Sequence, residues 1–185
     1  MNLQSSDFEL FELEPRFAQD RLVIDAHWKD LQRQAHPDRF AAQGSSAQRV
    51  ALQWSVRINE AYQRLKDPLR RAAYLCELHG ASIDAHSNTA MPAQFLQQQL
   101  AWREALDDAG DRASLQRVGA EVDASQRQLM LACEQSLDVV HDYGAAAGQV
   151  RALMFFQRFM LELQARADAM ETGREASAQT DASGQ

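Results

Sequence analysis

A His36-Pro37-Asp38 tripeptide is the feature that most constrains how this chain can fold, because it separates two amphipathic stretches. Proline fixes its own φ and cannot extend the helix that precedes it. It also biases His36, the residue before it, away from the α-helical region. The tripeptide therefore predicts a rigid corner at the tip of a helical hairpin, where an imidazole and a carboxylate are displayed. Such a corner is compatible with a plain turn and with a contact site.

The stretches on either side of this corner have the periodicity of amphipathic helices. Asp20 is a suitable N-cap for a helix over about 21–35. Ser45 and Gln48 match a capping box at the start of a second helix over about 46–66. Apolar residues at helical spacing predict the buried faces, which are Ile24, Trp28, Leu31 and Ala35 on the first helix and Ala51, Trp54, Ser55, Ile58, Tyr62 and Leu65 on the second.

The remainder of the chain also indicates an all-α fold, without internal repeats or a strand pattern. A short first helix should start at Asp7 and stop before Pro15, and another short helix should run from Leu69 to Leu78 and be stopped by Gly80. Short connections between the later helices predict an antiparallel three-helix bundle. The predicted organisation is a domain over 1–78, a linker over 79–92, bundle helices over about 93–109, 112–142 and 145–171, and a disordered tail over 172–185.

Composition excludes several classes of protein. The net charge is −7, and all of it comes from the residues after 78, because residues 1–78 carry equal numbers of acidic and basic side chains. This distribution argues against nucleic-acid binding, which normally needs a clustered basic excess. The N-terminus lacks the basic and apolar segments of a signal peptide, and no apolar run reaches membrane-spanning length. We therefore expect a soluble cytoplasmic protein.

Two predicted bundle helices carry more apolar surface than their cores require. Leu96 and Leu100 lie off the core stripe of the first bundle helix, on a side that Glu104 and Asp108 continue. Phe155 and Phe159 lie off the core stripe of the last helix in the same way. An apolar set with a rim of carboxylates is typical of a protein-binding surface. Periodicity equally allows these side chains to pack against the first domain.

Motifs of known catalytic chemistry are missing from the sequence, which carries no phosphate-binding glycine loop, nucleophile elbow or zinc-protease motif. Cys76 and His79 form a Cys-x-x-His pair on a short helix, but no second pair completes a zinc site, so we interpret them as structural. A metal- or cluster-carrying protein that uses Cys76, Cys133 and nearby histidines remains an alternative. The sequence favours a binding module over an enzyme.

Two runs around the tripeptide resemble a J domain. Residues 31–40, Leu-Gln-Arg-Gln-Ala-His-Pro-Asp-Arg-Phe, are similar to its second helix and loop. Residues 58–74, Ile-Asn-Glu-Ala-Tyr-Gln-Arg-Leu-Lys-Asp-Pro-Leu-Arg-Arg-Ala-Ala-Tyr, are similar to its third helix and exit. Among J proteins, the run Leu-Cys-Glu-Leu-His-Gly over 75–80, followed by an acidic helical domain, resembles the HscB co-chaperones of iron–sulfur cluster assembly, over about residues 7–170.

The resemblance implies a J domain, an antiparallel helical hairpin with a short first helix, joined to a C-terminal three-helix bundle. It also implies two partners. The J domain would stimulate the ATPase of a DnaK-like heat-shock chaperone, HscA, and the bundle would deliver the scaffold protein IscU. Recruitment of the chaperone to a different client is the alternative. The residues that the resemblance assigns to chaperone binding are His36, Pro37, Asp38, Lys29, Arg33, Arg39 and Asn59.

Spacing alone favours a solvated role for Lys29 and Arg33, and only the resemblance implies that they dock on a partner. The residues that it assigns to scaffold binding are Leu96, Leu100, Glu104, Asp108 and Phe155. Two positions depart from the family's pattern, since Gln97 stands where an apolar residue is common and Ala101 where an acidic one is common. The resemblance implies no bound metal, no cofactor and no catalysis by this chain itself.

Overall fold

The computed structural model describes residues 4–83 and 91–182, so the predicted linker lies partly outside the described residues. Every regular element in these two ranges is a helix, as predicted. The elements are α1 (Asp7–Leu10), α2 (Arg21–Ala35), a 3₁₀ helix (Pro37–Gln43), α3 (Ser45–Lys66), α4 (Pro68–Leu78), α5 (Ala93–Asp107), α6 (Arg112–Glu134), a π-helix (Gln135–Val140) and α7 (Tyr143–Ala182).

The helix ends show which local signals the chain uses. Asp20 caps α2 as predicted, because its carboxylate accepts the N–H of Leu22 at 2.8 Å. The predicted capping box at Ser45 is wrong, since Gly44 is the N-cap of α3 and supplies no side-chain hydrogen bond. Gly44 has a φ of +92°, a backbone conformation that favours glycine. The entry into α3 is therefore fixed by backbone freedom and not by a side-chain cap.

The chain divides into two compact units, and the division differs from the predicted one. The described residues up to Ser82 form the N-terminal unit together with Glu134–Ala147. The described residues of Ile83–Cys133 and Gly148–Gln185 form the C-terminal unit. The prediction had assigned the whole of 93–171 to a separate bundle, whereas the turn between α6 and α7 packs with the first part of the chain.

Asp138 gives the physical reason for this difference. It lies in the π-helix, and its carboxylate accepts the backbone N–H of Phe17 at 2.6 Å and that of Ala18 at 2.8 Å. Tyr143 adds a second contact, because its ring stacks on that of His79 with centroids 3.7 Å apart. Backbone donors in the loop before α2 thus obtain a charged acceptor from a segment more than a hundred residues away.

The end of the chain also differs from the prediction. α7 continues to Ala182, although residues 172–185 were predicted to be disordered, and 183–185 lie outside the described residues. Residues 174–178 are Arg, Glu, Ala, Ser and Ala, most of which have high helix propensity, and no proline interrupts the helix. α7 begins at Tyr143, and the carboxylate of Asp142 caps this start by accepting the N–H of Ala145 at 2.9 Å. The last helix therefore begins two residues earlier than predicted, since the sequence had placed the break between helices at Tyr143-Gly144.

A charged cluster anchors α1 within the N-terminal unit. Asp7 is fully buried. One of its carboxylate oxygens lies 2.6 Å from a guanidinium nitrogen of Arg57, and the other lies 2.7 Å from a guanidinium nitrogen of Arg64. Its backbone N–H donates to the hydroxyl of Tyr74 at 2.9 Å. Arg57 and Arg64 are on α3 and Tyr74 is on α4, so Asp7 joins α1 to two other helices, to α3 through its carboxylate and to α4 through its backbone N–H. The sequence marked Asp7 only as a helix start.

We expect Asp7→Asn to lower the free energy of unfolding by about 1–3 kcal/mol, because the variant leaves two guanidinium groups without their counter-ion. Urea denaturation followed by circular dichroism measures this change. The control is Glu14→Gln, at a side chain that is 83% exposed, and it should stay within about 0.5 kcal/mol of the parent. Equal stability of both variants would contradict the structural role of Asp7.

Among the described residues, no helix combines the length and the hydropathy needed to cross a membrane.

Candidate functional site

The tripeptide lies at the corner between α2 and α3, as the sequence predicted. α2 ends at Ala35, and His36 has extended backbone angles, with φ −62° and ψ 125°. The backbone N–H of Asp38 donates to Nδ1 of His36 at 3.3 Å. In the neutral imidazole this bond places the proton on Nε2, so the outer nitrogen is a donor. Pro37 begins the 3₁₀ helix and keeps the corner rigid.

Both polar side chains of the corner face solvent. The His36 side chain is 57% exposed and that of Asp38 is 90% exposed. The shortest separation between the imidazole and the carboxylate is 3.6 Å. Neither side chain contributes much buried surface, so the corner is not held by its own packing. An imidazole and a carboxylate presented in this way suit a contact with another molecule.

The basic side chains assigned to the same face gather at the end of α2. Arg33 pairs with Asp30 one turn earlier on α2. Arg39, beyond the corner, folds back and donates to the carbonyl oxygen of Arg33 at 3.2 Å. Lys29 is exposed one turn before Arg33. The structure therefore brings Arg33 and Arg39 beside the tripeptide, and it leaves Lys29 exposed one turn further back on α2.

Asn59 has a different place from the other predicted residues. Its side-chain oxygen accepts the indole N–H of Trp28 at 2.9 Å and the amide of Gln32 at 2.8 Å, so it ties α3 to α2. Ser55 ties the same helices nearer the corner, because its hydroxyl donates to the carbonyl oxygen of Ala35 at 3.2 Å. These bonds hold the end of α2, and with it the tripeptide, against α3. We describe Asn59 as a positioning residue.

Removing the side-chain oxygen of Asn59 should weaken the packing of α2 on α3. We expect Asn59→Ala to lower the free energy of unfolding by about 1 kcal/mol, since two donors lose their partner at a partly exposed site. Urea denaturation measures the change. Asn59→Asp retains two acceptor oxygens and should stay closer to the parent. An alanine variant as stable as the parent would show that these bonds do not hold α2.

The stacking of Trp28 was a contact that sequence periodicity missed. The periodicity placed Trp28 and Tyr62 on buried stripes, yet both are half-buried, and their rings stack with centroids 4.7 Å apart. Nζ of Lys66 lies 4.8 Å from the Tyr62 ring centroid. The Arg21 guanidinium, which is bonded to Asp25, lies 5.7 Å from the same centroid. Helical spacing reports which residues share a face but not which of them reach its edge.

The second predicted surface lies on α5 and α7 of the C-terminal unit. Leu96 is 37% exposed and Leu100 is 60% exposed, which confirms that they lie outside the core. Glu104 and Asp108 are exposed at the next two four-residue steps of the same line. Leu96, Leu100 and Glu104 are on α5, and Asp108 is its C-cap. We call these four residues the α5 line.

Phe155 joins this line from the neighbouring helix. It is half-buried, and its ring stacks on that of Trp102 on α5 with centroids 6.3 Å apart. The prediction that Phe159 is exposed is wrong, because it is fully buried between Phe155 and Trp102, with centroid distances of 5.6 Å and 6.4 Å. An ion pair between Arg103 and Glu162 at 3.1 Å also links α5 to α7.

The two cysteines do not form a metal site in the described part of the chain. Cys76 and Cys133 are both buried. Among the described residues, no group of three or more His, Cys, Asp or Glu side chains is placed to hold a metal ion. Within residues 4–83 and 91–182, no observation favours the alternative of a metal- or cluster-carrying protein.

A hairpin built around such a corner is a J domain, and a J domain followed by a second helical unit defines a J-domain co-chaperone. Comparison with known proteins identifies the family. Residues 91–164 match the family model of the HSCB C-terminal oligomerisation domain. A co-chaperone protein HscB homolog from Burkholderia thailandensis is 45% identical over 174 residues, which cover 92% of this chain and 99% of that protein. The chain therefore belongs to the HscB family, and it is a co-chaperone of iron–sulfur cluster assembly.

Solved structures agree with this assignment. Chaperone HscB from Vibrio cholerae is 33% identical, with a TM-score of 0.78 over 89% of this chain and 99% of that one. The crystal structure of human co-chaperone protein HscB has a TM-score of 0.84 over 90% of this chain and 84% of that one. At 23% identity, the human structure supports the fold alone.

Proposed function

We propose that this co-chaperone stimulates the ATPase of a DnaK-like chaperone of the HscA type and delivers to it a scaffold protein of the IscU type. The exposed, rigid His36-Pro37-Asp38 corner carries the first half of this proposal. Its side chains pack little within the protein, yet Asn59 and Ser55 bond α3 to the end of α2 that bears them. A preorganised polar pair is well suited to trigger a partner's reaction.

The basic end of α2 supports docking on an acidic surface of the chaperone. Arg33 and Arg39 lie together beside the corner, and Lys29 is exposed one turn further back on α2, whereas residues 1–78 as a whole carry no net charge. Exposed charges of one sign accelerate association with a surface of the opposite sign, although each contributes little to stability. In the proposed mechanism these side chains orient the J domain, and the tripeptide then makes the contact that changes the ATPase rate. Hydrolysis belongs to the chaperone.

The exposed residues of α5 support the second half of the proposal, which is the binding of a scaffold protein. Two exposed leucines followed by two carboxylates form an apolar surface with an acidic rim, and Phe155 extends it from α7. Such a surface fits a protein that offers apolar side chains next to basic ones. The departures at Gln97 and Ala101 leave this chain with less apolar area and one acidic group fewer than the family's pattern, and we expect correspondingly weaker rim contacts.

The decisive experiment measures steady-state ATP hydrolysis by the cognate chaperone with the full-length chain, with the scaffold protein, and with both. We expect stimulation by the chain alone and a larger rate with both. No stimulation by the chain would overturn the proposed J-domain activity. If the chain stimulates the chaperone but the scaffold protein does not raise the rate further, the result favours recruitment of the chaperone to a different client. The cytoplasmic location stays a prediction.

A further inference from the structure

A cavity opens at the end of the C-terminal unit, where the turn between α5 and α6 meets the last described side chains of α7. Its volume is about 410 Å³, within the range of ligand pockets in proteins. None of its residues belongs to the scaffold-binding set that the resemblance assigned. The residues that line it are Gly110, Asp111, Arg112, Leu115, Ala167, Met170 and Glu171.

The floor of the cavity is apolar and adaptable. Leu115 is 1% exposed, and Ala167 and Met170 are half-buried. Methionine is unbranched and flexible, so it adjusts to side chains of different shapes. A cavity of this kind suits one or two apolar side chains of a partner.

The rim of the cavity carries two carboxylates and one guanidinium, with Arg117 close enough to Asp111 to favour its ionised form. Arg112 pairs with Glu171, which leaves Asp111 as the additional rim carboxylate. Asp111 accepts the backbone N–H of Ser114 at 2.7 Å and its hydroxyl at 2.8 Å. These hydrogen bonds lower the pKa of the Asp111 carboxyl, so it is ionised at neutral pH. A basic side chain of the partner would find a fixed negative charge here.

The cavity continues the surface on α5. Leu100, Glu104 and Asp108 follow one another at four-residue steps, and Asp108 caps the end of α5. Asp111, three residues further on, is already on the cavity rim. The exposed residues of α5 therefore end three residues before the first carboxylate of the cavity rim.

We propose that this cavity is a second anchor site for the scaffold protein, and that it takes an apolar side chain of that protein next to a basic one. The inference rests on the proposed function of the α5 surface. It adds that the scaffold protein contacts the turn between α5 and α6 and the far part of α7, not only the sides of α5 and α7. Two observations select this partner: the cavity rim begins three residues after the exposed residues of α5 end, and it carries the carboxylate of Asp111.

Filling the cavity tests the proposal. We expect Ala167→Phe to raise the Kd of the full-length chain for the cognate scaffold protein at least about tenfold in isothermal titration calorimetry, because the new ring occupies the space of the partner's side chain. The control is Ala165→Phe, at an exposed residue of α7 outside the cavity, and it should stay within about twofold of the parent. Circular dichroism and the thermal midpoint report whether each variant is folded.

A second variant covers the case in which Ala167→Phe does not fold. Asp111→Ser retains a side chain that can cap α6 but removes the rim charge. We expect weaker binding at low ionic strength, with a difference from the parent that shrinks as salt is added.

The same titrations distinguish failure of this inference from failure of the proposed function. If Leu96→Ala with Leu100→Ala weakens binding while Ala167→Phe and Asp111→Ser bind like the parent, the cavity proposal is overturned and the α5 surface stands. If the parent itself does not bind the scaffold protein, the cavity proposal and the proposed function of the α5 surface are both overturned. If Ala167→Phe changes self-association in sedimentation velocity but not scaffold binding, the occupant is a second copy of this chain and the proposal is overturned.

Discussion

His36→Gln is expected to abolish stimulation of the cognate chaperone's ATPase while the chain stays folded. The side chain is 57% exposed, so its replacement should change the free energy of unfolding by no more than about 0.5 kcal/mol. Glutamine offers a flexible amide in place of a rigid ring whose Nδ1 accepts the N–H of Asp38. A trigger contact that behaves as a hot spot contributes about 2 kcal/mol or more, which corresponds to a loss of at least about 30-fold.

The measurement is a titration of the full-length chain into the chaperone under steady-state ATP hydrolysis. His36→Gln should lower the maximal rate, because it removes the trigger and leaves the basic side chains in place. Arg33→Ala should instead raise the concentration needed for half-maximal stimulation, because it weakens docking. Gln48→Ala, at an exposed residue in the first turn of α3, is the neutral control. Full stimulation by His36→Gln would remove the tripeptide from the mechanism.

The hairpin was predictable because its signals are local. Asp20 caps α2 as the sequence indicated, Pro37 ends that helix where its covalent geometry requires, and Ile24 and Ala35 are buried as their spacing implied. Gly44 shows the limit of such signals. A Ser-x-x-Gln match predicted a capping box, but the glycine before it sets the geometry of the helix start. Local sequence patterns indicate where a helix begins. Whether a side chain or the backbone caps that helix depends on the backbone conformation of the residue before it.

Contacts between distant segments could not be predicted in the same way. Asp138 accepts two backbone N–H groups of the loop before α2, and nothing in a lone aspartate on a helical stretch indicates that partner. Asp7 likewise appeared to be an ordinary helix-start residue, although it is a fully buried counter-ion for Arg57 and Arg64. Because these pairs join residues far apart in sequence, periodicity carries no information about them.

The predicted surface of the C-terminal unit was partly correct for a geometric reason. A helix that packs on one neighbour has one buried stripe, and Leu96 and Leu100 on α5 lie outside it as expected. α7 has a wider buried face, so Phe159, about 60° from Phe156, is buried against Trp102. Phe155 is about 100° from Phe156 on the same side of the helix, and it lies at the edge of the core. The exposed part of the predicted surface is therefore chiefly on α5.

This distribution makes the two leucines of α5 the sharper test of scaffold binding. We expect Leu96→Ala with Leu100→Ala to weaken binding of the cognate scaffold protein by about 2–4 kcal/mol, as expected for the loss of two apolar anchors. That loss corresponds to a rise in Kd of about 30- to 1,000-fold in isothermal titration calorimetry. Phe155→Ala is less informative, because the ring also packs on Phe95 and Trp102, and its loss would destabilise the unit.

The matched control uses two leucines elsewhere in the same unit that are more exposed than Leu96 and Leu100. Leu131 on α6 is 66% exposed and Leu161 on α7 is 71% exposed. Replacing both by alanine removes at least as much exposed apolar side chain, so a general loss of hydrophobicity would weaken binding at least to the same extent. If the surface on α5 is the binding site, only the Leu96 and Leu100 variant loses affinity, and both variants keep the parent's unfolding free energy within about 1 kcal/mol. Equal losses of affinity would show that the interaction is not located on α5.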